Sequence, residues 1–361
     1  MWLVALAGGS EPPAGACEDG LVCVLMGTGE LGFNGDGQPG RWARLATPTS
    51  VLATSDGSPM VVDFSNMRLR RLDDANFIRT VVGDGRHAYS EIGANRLATP
   101  LENPVDAAWG PDGLLYVLPM HEGRVVRVGE DDAIELWAGT GVVADAADDC
   151  PASVAEMGFG GGLAFAEDGT LYVSDNTYNK VRRVSTDLVV TTVLGNDDSV
   201  GEPPGYGPDI GLRSPERLVV DDARRRLLVA DTLENRVLAL DEDTLAVEVL
   251  AGTGERGFAG DGGPALDAEL DGPVGLAVAP DGTVLVSDLG NDVVRAVFPD
   301  GTIDTVLGTP GEDLYPRQSA PPLEFPITGP AGLAWSDDGD LWIAERGGDR
   351  MLAWNAALDA L

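Results

Sequence analysis

Two histidines are the side chains of this chain best suited to bind a metal ion. They are His87 and His121, the only histidines in the sequence. Asp84 lies close to the first, and Glu122 directly follows the second. Imidazole nitrogens together with carboxylate oxygens suit zinc and similar divalent ions. The pattern predicts a metal site formed by His87, His121, Glu122 and Asp84; the competing interpretation is two exposed histidines that bind nothing.

A second pattern places an acid five residues before a base. The pairs are Asp63 with Arg68, Asp175 with Lys180, Asp231 with Arg236, and Glu345 with Arg350. Across a short loop, side chains at this spacing can form an ion pair, so the pattern favours a structural role over a catalytic one.

The same spacing is incomplete in two places. Pro119 precedes Arg124, which leaves a base without its acid, and Asp288 precedes Val293, which leaves an acid without its base. Since all these positions recur at one end of a repeat, we predict that they lie on one face. The candidates for contact with a ligand on that face are Asp63, His121, Glu122, Asp175, Asp231, Asp288 and Glu345.

Two Gly-rich turns share half of a calcium-binding pattern. They are Asn34-Gly-Asp-Gly37 and Ala259-Gly-Asp-Gly262, and both lack the full set of alternating oxygens and the late glutamate of a calcium loop. We interpret them as structural turns. A divalent ion, calcium or zinc, is the only cofactor that the sequence suggests. Nucleophilic catalysis has no support, because the chain contains no Gly-x-Ser-x-Gly elbow.

The elements that must position these residues are repeated along the chain. The segment Pro273–Asp288 has relatives that end at Asp63, Pro119, Asp175, Asp231 and Glu345, so the ends lie 56 or 57 residues apart. Each unit contains two apolar runs joined by a turn, which in five of the units is Asp-Gly, and this is the signature of a β-hairpin. A third and a fourth apolar run follow, and the fourth ends in glycine. Four short antiparallel strands per unit predict six blades of an all-β propeller.

The N-terminal strand is predicted to close the last blade. The fourth-strand glycine of the sixth unit would fall near position 365, beyond Leu361, whereas Leu21–Gly29 carries the fourth-strand pattern. Gly27 precedes Asp63 by the same step that separates Gly83 from Pro119. Closure of this kind pairs both edges that an open ring would expose.

The units resemble NHL repeats, and the resemblance covers residues 21 to 361. It is strengthened by the linkers that begin Gly252-Thr-Gly-Glu-Arg-Gly-Phe and Gly27-Thr-Gly-Glu-Leu-Gly-Phe, which are similar to those of many bacterial members. The resemblance implies the fold but leaves the function open, since the family includes RNA binders, sensor domains, adhesion modules and a zinc-dependent amidating lyase. The lyase relatives have more histidines around the channel than this chain. Calcium-dependent sugar-lactone hydrolases also have six blades, and only Glu102-Asn103-Pro104 resembles their Glu and Asn cluster.

Composition restricts the partners. The chain has 24 basic and 59 acidic residues and a formal net charge of -35. Nucleic acids and anionic membrane surfaces require clustered Lys and Arg, so we predict neither as a partner. Protein, peptide and glycan ligands remain, and we expect a monomer.

The first 20 residues are predicted to be a flexible leader or the remnant of an export segment. The apolar start is short for a signal peptide, and no stretch is long enough to span a membrane. Ala14-Gly15-Ala16-Cys17 lacks the large aliphatic residue of a lipoprotein box, which argues against lipidation at Cys17. The disulfide state of Cys17, Cys23 and Cys150 is left open.

Together these features predict one propeller over residues 21–361, exported or at the cell surface. We predict a non-enzymatic binding or scaffolding module that uses the face formed by the strand 2–3 loops and the inter-blade linkers. The alternative is a metal-dependent lyase or hydrolase with its site at the channel mouth.

Overall fold

Six small antiparallel sheets form a ring around one axis. The structure is a computed structural model that describes residues 17–54, 56–145, 148–196, 201–310, 319–336 and 338–355. The predicted six-bladed, all-β propeller is confirmed.

Each blade is a meander of four strands that run from the axis outwards. Blade 1 contains β2 (Pro48–Ala53), β3 (Pro59–Asp63), β4 (Arg68–Leu72) and β5 (Ile78–Val82). Blade 2 contains β6 (Pro104–Trp109), β7 (Leu115–Pro119), β8 (Val125–Val128) and β9 (Ile134–Ala138). Blade 3 contains β11 (Gly160–Phe165), β12 (Leu171–Asp175), β13 (Lys180–Val184) and β14 (Val189–Leu194). Blade 4 contains β16 (Pro215–Asp221), β17 (Arg226–Asp231), β18 (Arg236–Asp241) and β19 (Ala246–Ala251). Blade 5 contains β21 (Pro273–Val278), β22 (Val284–Asp288), β23 (Val293–Val297) and β24 (Thr302–Leu307). Blade 6 contains β26 (Pro330–Trp335), β27 (Leu341–Glu345), β28 (Arg350–Trp354) and β1 (Val22–Met26).

The linkers add a fifth strand to four of the blades. A two-residue strand pairs with the outer edge of blades 3, 4, 5 and 6, which protects the unpaired backbone groups there. These strands are β10 (Cys150–Pro151), β15 (Gly205–Tyr206), β20 (Gly263–Pro264) and β25 (Ser319–Ala320). Short 3₁₀ turns occupy Gly40–Trp42, Phe64–Asn66, Gly207–Asp209, Asp222–Arg224, Thr232–Glu234, Ala265–Asp267, Leu289–Asn291 and Pro322–Glu324.

The N-terminal strand closes blade 6, as predicted. β1 pairs with β28, with Val22 opposite Trp354 and Val24 opposite Leu352. A disulfide joins Cys17 to Cys23 in this segment, and Cys150 is free. Residues 1–16 of the predicted leader lie outside the described residues. No helix within the described ranges is long and apolar enough to cross a membrane.

The core lies between neighbouring blades. One apolar cluster joins Met26 of β1 to Val61 and Leu72 of blade 1 and Met351 of blade 6, and all four side chains are almost completely buried. Each blade therefore depends on its neighbours for the burial of its apolar faces.

Truncation of Met26 tests the contribution of the closing strand. Met26→Ala should lower the free energy of unfolding by about 2–5 kcal/mol, because it leaves a cavity between blades 6 and 1. The measurement is urea denaturation followed by fluorescence. Leu31→Ala is the control, since Leu31 is 66% exposed, and equal losses in the two variants would contradict the role of Met26.

Candidate functional site

The acids at the hairpin ends are buried, and they fix the linkers. Five of the six hairpin ends carry an acid. Each of these acids accepts a hydrogen bond from the backbone N–H of the residue two positions before an inner strand, as Asp231 does from Arg213 at 2.7 Å. The same bond is made by Asp63, Asp175, Asp288 and Glu345. All five side chains are at most 2% exposed. We call the face formed by the strand 2–3 loops and the inter-blade linkers the loop face. A ligand on the loop face therefore contacts a surface that these carboxylates support and does not contact the carboxylates themselves.

Two of the predicted ion pairs form at the five-residue spacing. Arg236 donates to Asp231 at 2.9 Å, and Arg350 donates to Glu345 at 2.8 Å. Arg68 instead donates to the carbonyl oxygen of Asp84 at 2.6 Å.

The remaining two predicted pairs are replaced by other ion pairs. Asp63 lies 3.4 Å from Arg70 instead of pairing with Arg68, and Lys180 donates to Asp145 at 2.8 Å. Arg70 follows Asp63 by seven residues, whereas Arg68 follows it by five. Both arginines lie on the same side of the strand, because side chains alternate with period two.

The two residues that lack a partner at the five-residue spacing, Arg124 and Asp288, have other polar partners nearby. The expectation that Arg124 lacks an acid is wrong, because it donates to Glu122 at 2.7 Å. Asp288 accepts a hydrogen bond from Asn291 at 2.7 Å, and Arg295 lies 3.9 Å away. Arg295 again stands seven residues after the acid.

The aspartates of the Gly-Asp-Gly turns form hydrogen bonds with the outer strands of their blades. Asp36 accepts the backbone N–H of Thr80 at 2.9 Å. Asp261 accepts the hydroxyl of Thr305 at 2.8 Å and a hydrogen bond from Arg295 at 2.5 Å. Both carboxylates thus join a linker to the outer strands of a blade.

A second set of side chains joins neighbouring blades. Asn179, Asn235, Asp292 and Asp349 have left-handed backbone conformations, which Asn and Asp adopt more readily than most residues. The inner strand of the next blade begins with a proline. Each side chain accepts a hydrogen bond, at 2.7–3.0 Å, from the backbone N–H of the residue directly before that proline.

This inter-blade clasp cannot form on either side of blade 2. Met67 and Gly123 occupy the corresponding left-handed positions, and neither side chain has an oxygen to accept the bond. The loop face is therefore least regular around blade 2, where both histidines lie.

The two histidines share one carboxylate. Glu102 Oε1 lies 2.8 Å from His87 Nε2 and 3.2 Å from His121 Nδ1, and Asn103 Oδ1 lies 2.7 Å from His87 Nε2. The side chains of His87 and His121 are 57% and 36% exposed, and that of Glu102 is 14% exposed. The His121 ring packs edge-on against Phe159, with centroids 4.7 Å apart.

The two acids of the predicted metal site have other partners. Asp84 pairs with Arg86 at 2.6 Å. Glu122 is fully buried and accepts hydrogen bonds from the Ser90 N–H and hydroxyl at 2.7 and 2.6 Å. Within the described part of the chain, no group of three or more His, Cys, Asp or Glu residues is placed to hold a metal ion. Glu102, which resembled only a fragment of a hydrolase cluster, is the acid that meets the histidines.

The surface continues from the histidines to the channel axis. The Asn176 N–H donates to the Phe159 carbonyl at 2.8 Å, and the Asn176 side chain donates to Glu216 at 3.2 Å. Glu216 is the second residue of the inner strand β16, so this surface borders the channel mouth. We call Glu102, His121, Phe159, Asn176 and Glu216 the mouth stripe. Burial raises the pKa of Glu216, against the opposing attraction of Arg217 and Arg346.

Arg217 lies at the axis below the mouth stripe. Its guanidinium donates to the carbonyl oxygens of Thr49, Val105 and Gly161, each at 2.7 Å, and lies 3.1 Å from Asp106. One side chain of blade 4 thereby contacts blades 1, 2 and 3. A molecule at the channel mouth consequently meets a charged and hydrogen-bonded floor.

Sequence comparison identifies the repeats. A model of the teneurin NHL domain matches residues 149–325. NHL repeat-containing protein 2 of Bos taurus is 25% identical over 310 residues, which cover 75% of this chain and 42% of the relative. Teneurin-3 of Mus musculus is 26% identical over 350 residues, which cover 86% of this chain and 12% of the relative. These matches support an NHL-repeat β-propeller family. This NHL propeller spans less than half the length of these two relatives.

Solved structures share the fold of the NHL propeller. A Bacteroides thetaiotaomicron protein of unknown function has a TM-score of 0.69 at 18% identity, covering 92% of this chain and 75% of its own. An auxiliary nutrient binding protein from the same organism has a TM-score of 0.67 at 13% identity with the same coverages. A gluconolactonase from Xanthomonas campestris has a TM-score of 0.57 at 12% identity, covering 86% of each chain. At these identities the likeness concerns the fold alone.

Proposed function

We propose that this NHL propeller is an exported binding module whose mouth stripe contacts a peptide segment carrying basic and apolar side chains. The observation that carries the proposal is the break in the clasp pattern around blade 2. There the loop face presents imidazole, carboxylate and aromatic groups, whereas the hairpin-end acids elsewhere are buried.

The chemistry of the stripe supports this ligand class. Phe159 is 37% exposed and nearby Tyr89 is 49% exposed, which gives apolar contact area. Glu102 and Glu216 can accept hydrogen bonds from ammonium or guanidinium groups. The net charge of -35 also speeds the encounter with a cationic partner.

Two further observations support binding outside the cell. The Cys17–Cys23 disulfide suits an oxidising compartment. A protein named for auxiliary nutrient binding shares the fold. Both are consistent with a secreted, periplasmic or cell-surface location.

The test is fluorescence anisotropy with a labelled peptide of alternating lysine and phenylalanine. The double variant Glu102→Gln, Phe159→Ala should bind at least about tenfold more weakly, since it removes one charged hydrogen bond and one aromatic contact. The matched control is Leu233→Ala, Glu234→Gln in the 2–3 loop of blade 4, where Leu233 is 58% exposed. The titration is repeated at about 0.5 M salt to screen diffuse attraction to the acidic surface. Equal affinity of the wild type and both variants would reject the mouth stripe as the site.

The competing function is a metal-dependent lyase or hydrolase at the channel mouth. Its support is the shared contact of His87 and His121 with Glu102, although the described residues contain no group of three or more ligands placed to hold a metal ion. Zinc titration of the wild type against the double variant His87→Ala, His121→Ala separates the two functions. Tighter zinc binding by the wild type would favour the enzyme, and equal affinity would favour the binding module.

A further inference from the structure

A cavity of about 420 Å³ lies between blades 1 and 2. It opens near the turns between strands 1 and 2 and between strands 3 and 4, on the face opposite the mouth stripe. Trp109, Leu114 and Val128 contribute apolar surface. The charged side chains of the lining are Arg71, Arg79, Arg96 and one acid, Asp132. Its volume is within the range of small-molecule sites.

The three arginines are held in place by acids. Arg71 pairs with Asp56 at 2.8 Å, Arg79 with Asp73 at 2.9 Å, and Arg96 with Asp132 at 2.7 Å. Each of these ion pairs uses a single nitrogen of a guanidinium that carries five N–H donors. Arg96 also donates to the carbonyl oxygen of Val81. The guanidinium groups are thus oriented, and each keeps N–H donors for a further acceptor.

Trp109 provides a fixed aromatic surface. Its indole N–H donates to the carbonyl oxygen of Ala53 at 2.6 Å, which ties the ring of blade 2 to blade 1. The polar edge of the ring is thereby satisfied, and its remaining contacts are apolar. The ring packs against the buried cluster that includes Leu52 and Val128.

The equivalent cavity between blades 3 and 4 has the opposite character. It measures about 700 Å³ and is lined by five acids together with Arg183 and Arg225. These acids are Glu167, Asp168, Asp222, Glu242 and Asp243. The arginine lining of the cavity between blades 1 and 2 is therefore not repeated between blades 3 and 4.

We propose that the cavity between blades 1 and 2 binds a small aromatic carboxylate. The aromatic ring packs against Trp109, and the carboxylate accepts hydrogen bonds from Arg71, Arg79 and Arg96. Planar guanidinium groups match a carboxylate in geometry as well as in charge. This site is separate from the mouth stripe, so each can be tested without the other.

Three naphthalene probes of equal size test the charge preference. They are 2-naphthoate, 2-naphthylmethanol and 2-naphthylmethylammonium, titrated by calorimetry at neutral pH. A chain with a net charge of -35 attracts the cation everywhere on its surface. The naphthoate should nevertheless bind at least about tenfold more tightly than the cation, as one or two charged hydrogen bonds require. Equal or tighter binding of the cation would overturn the proposal.

Arginine variants then locate the site. Arg79→Gln changes a side chain that is 49% exposed and should leave the fold intact. It should weaken naphthoate binding by about three- to tenfold, and Arg71→Gln combined with it by more. Arg225→Gln in the acidic cavity is the control, because Arg225 is also exposed and paired with an aspartate. Unchanged affinity in the double variant, or an equal loss in the control, would overturn the assignment; thermal unfolding of each variant verifies the fold.

Discussion

Replacing Arg217 with methionine should lower the free energy of unfolding by about 3–5 kcal/mol, because it leaves a buried charge without its partner. Asp106 is 5% exposed and would lose its cation, and three inward carbonyl oxygens would lose their donor. Methionine retains much of the apolar volume, so the loss measures the polar contacts. The measurement is urea denaturation followed by circular dichroism.

Two further variants define the cause. Arg217→Met with Asp106→Leu should recover part of the loss, since an apolar pair often replaces a buried ion pair without penalty. Arg225→Met should change stability by less than about 0.5 kcal/mol, as Arg225 is a surface residue. A loss below about 1 kcal/mol in Arg217→Met would mean that water replaces the guanidinium on the axis.

The free energy of unfolding should rise as the pH falls from 7 towards 5. Burial raises the pKa of Asp63, Asp231 and Asp288 from 3.8 to about 6. Between pH 4 and 6 the folded chain therefore binds more protons than the unfolded chain, and lower pH favours folding. For one such carboxyl the gain in the free energy of unfolding between pH 7 and 5 should be on the order of 1 kcal/mol.

At lower pH the trend should reverse. Hydrogen bonds hold the pKa of Asp73, Asp241 and Asp300 below its usual value. Their contribution to stability is present above the unfolded pKa and is lost as the pH falls through the folded pKa. Stability should therefore be greatest at mildly acidic pH.

Asp288→Asn isolates one buried carboxyl. This variant should show a smaller rise in stability between pH 7 and 5 than the wild type, measured by urea denaturation at each pH. Glu248→Gln is the control, because it removes one exposed charge. It shows how much of the change in stability comes from the loss of one negative charge alone. Parallel curves for the wild type and Asp288→Asn would exclude Asp288 as a source of the effect.

The repeat made the fold predictable. Hairpin ends at a near-constant spacing indicated six blades, and the position of Gly27 placed β1 beside β28. The linker strands β10, β15, β20 and β25 have two residues each, which is too short for any alternation of apolar and polar residues to indicate a strand.

The site was less predictable because sequence spacing does not indicate burial. Asp63 and Asp231 carry charged side chains, yet the linkers cover them completely. Arg217 and Asp106 occupy the same repeat position, where glycine stands in three other blades, and only the ring geometry brings their charges together. Glu102 lies close to the histidines through the folding of a linker that has no periodic pattern.

Closure by β1 has a consequence during synthesis. Val22 of β1 and Trp354 of β28, which lie opposite each other in the closed ring, are 332 residues apart. A ribosome adding about 5–20 residues each second needs roughly 17 to 66 seconds to make this stretch. During that interval the first strand has no partner, and blade 6 cannot be completed. The nascent chain must therefore keep an apolar segment from aggregating until its last strand has left the ribosome, so chaperone supply during translation should limit the yield of folded protein.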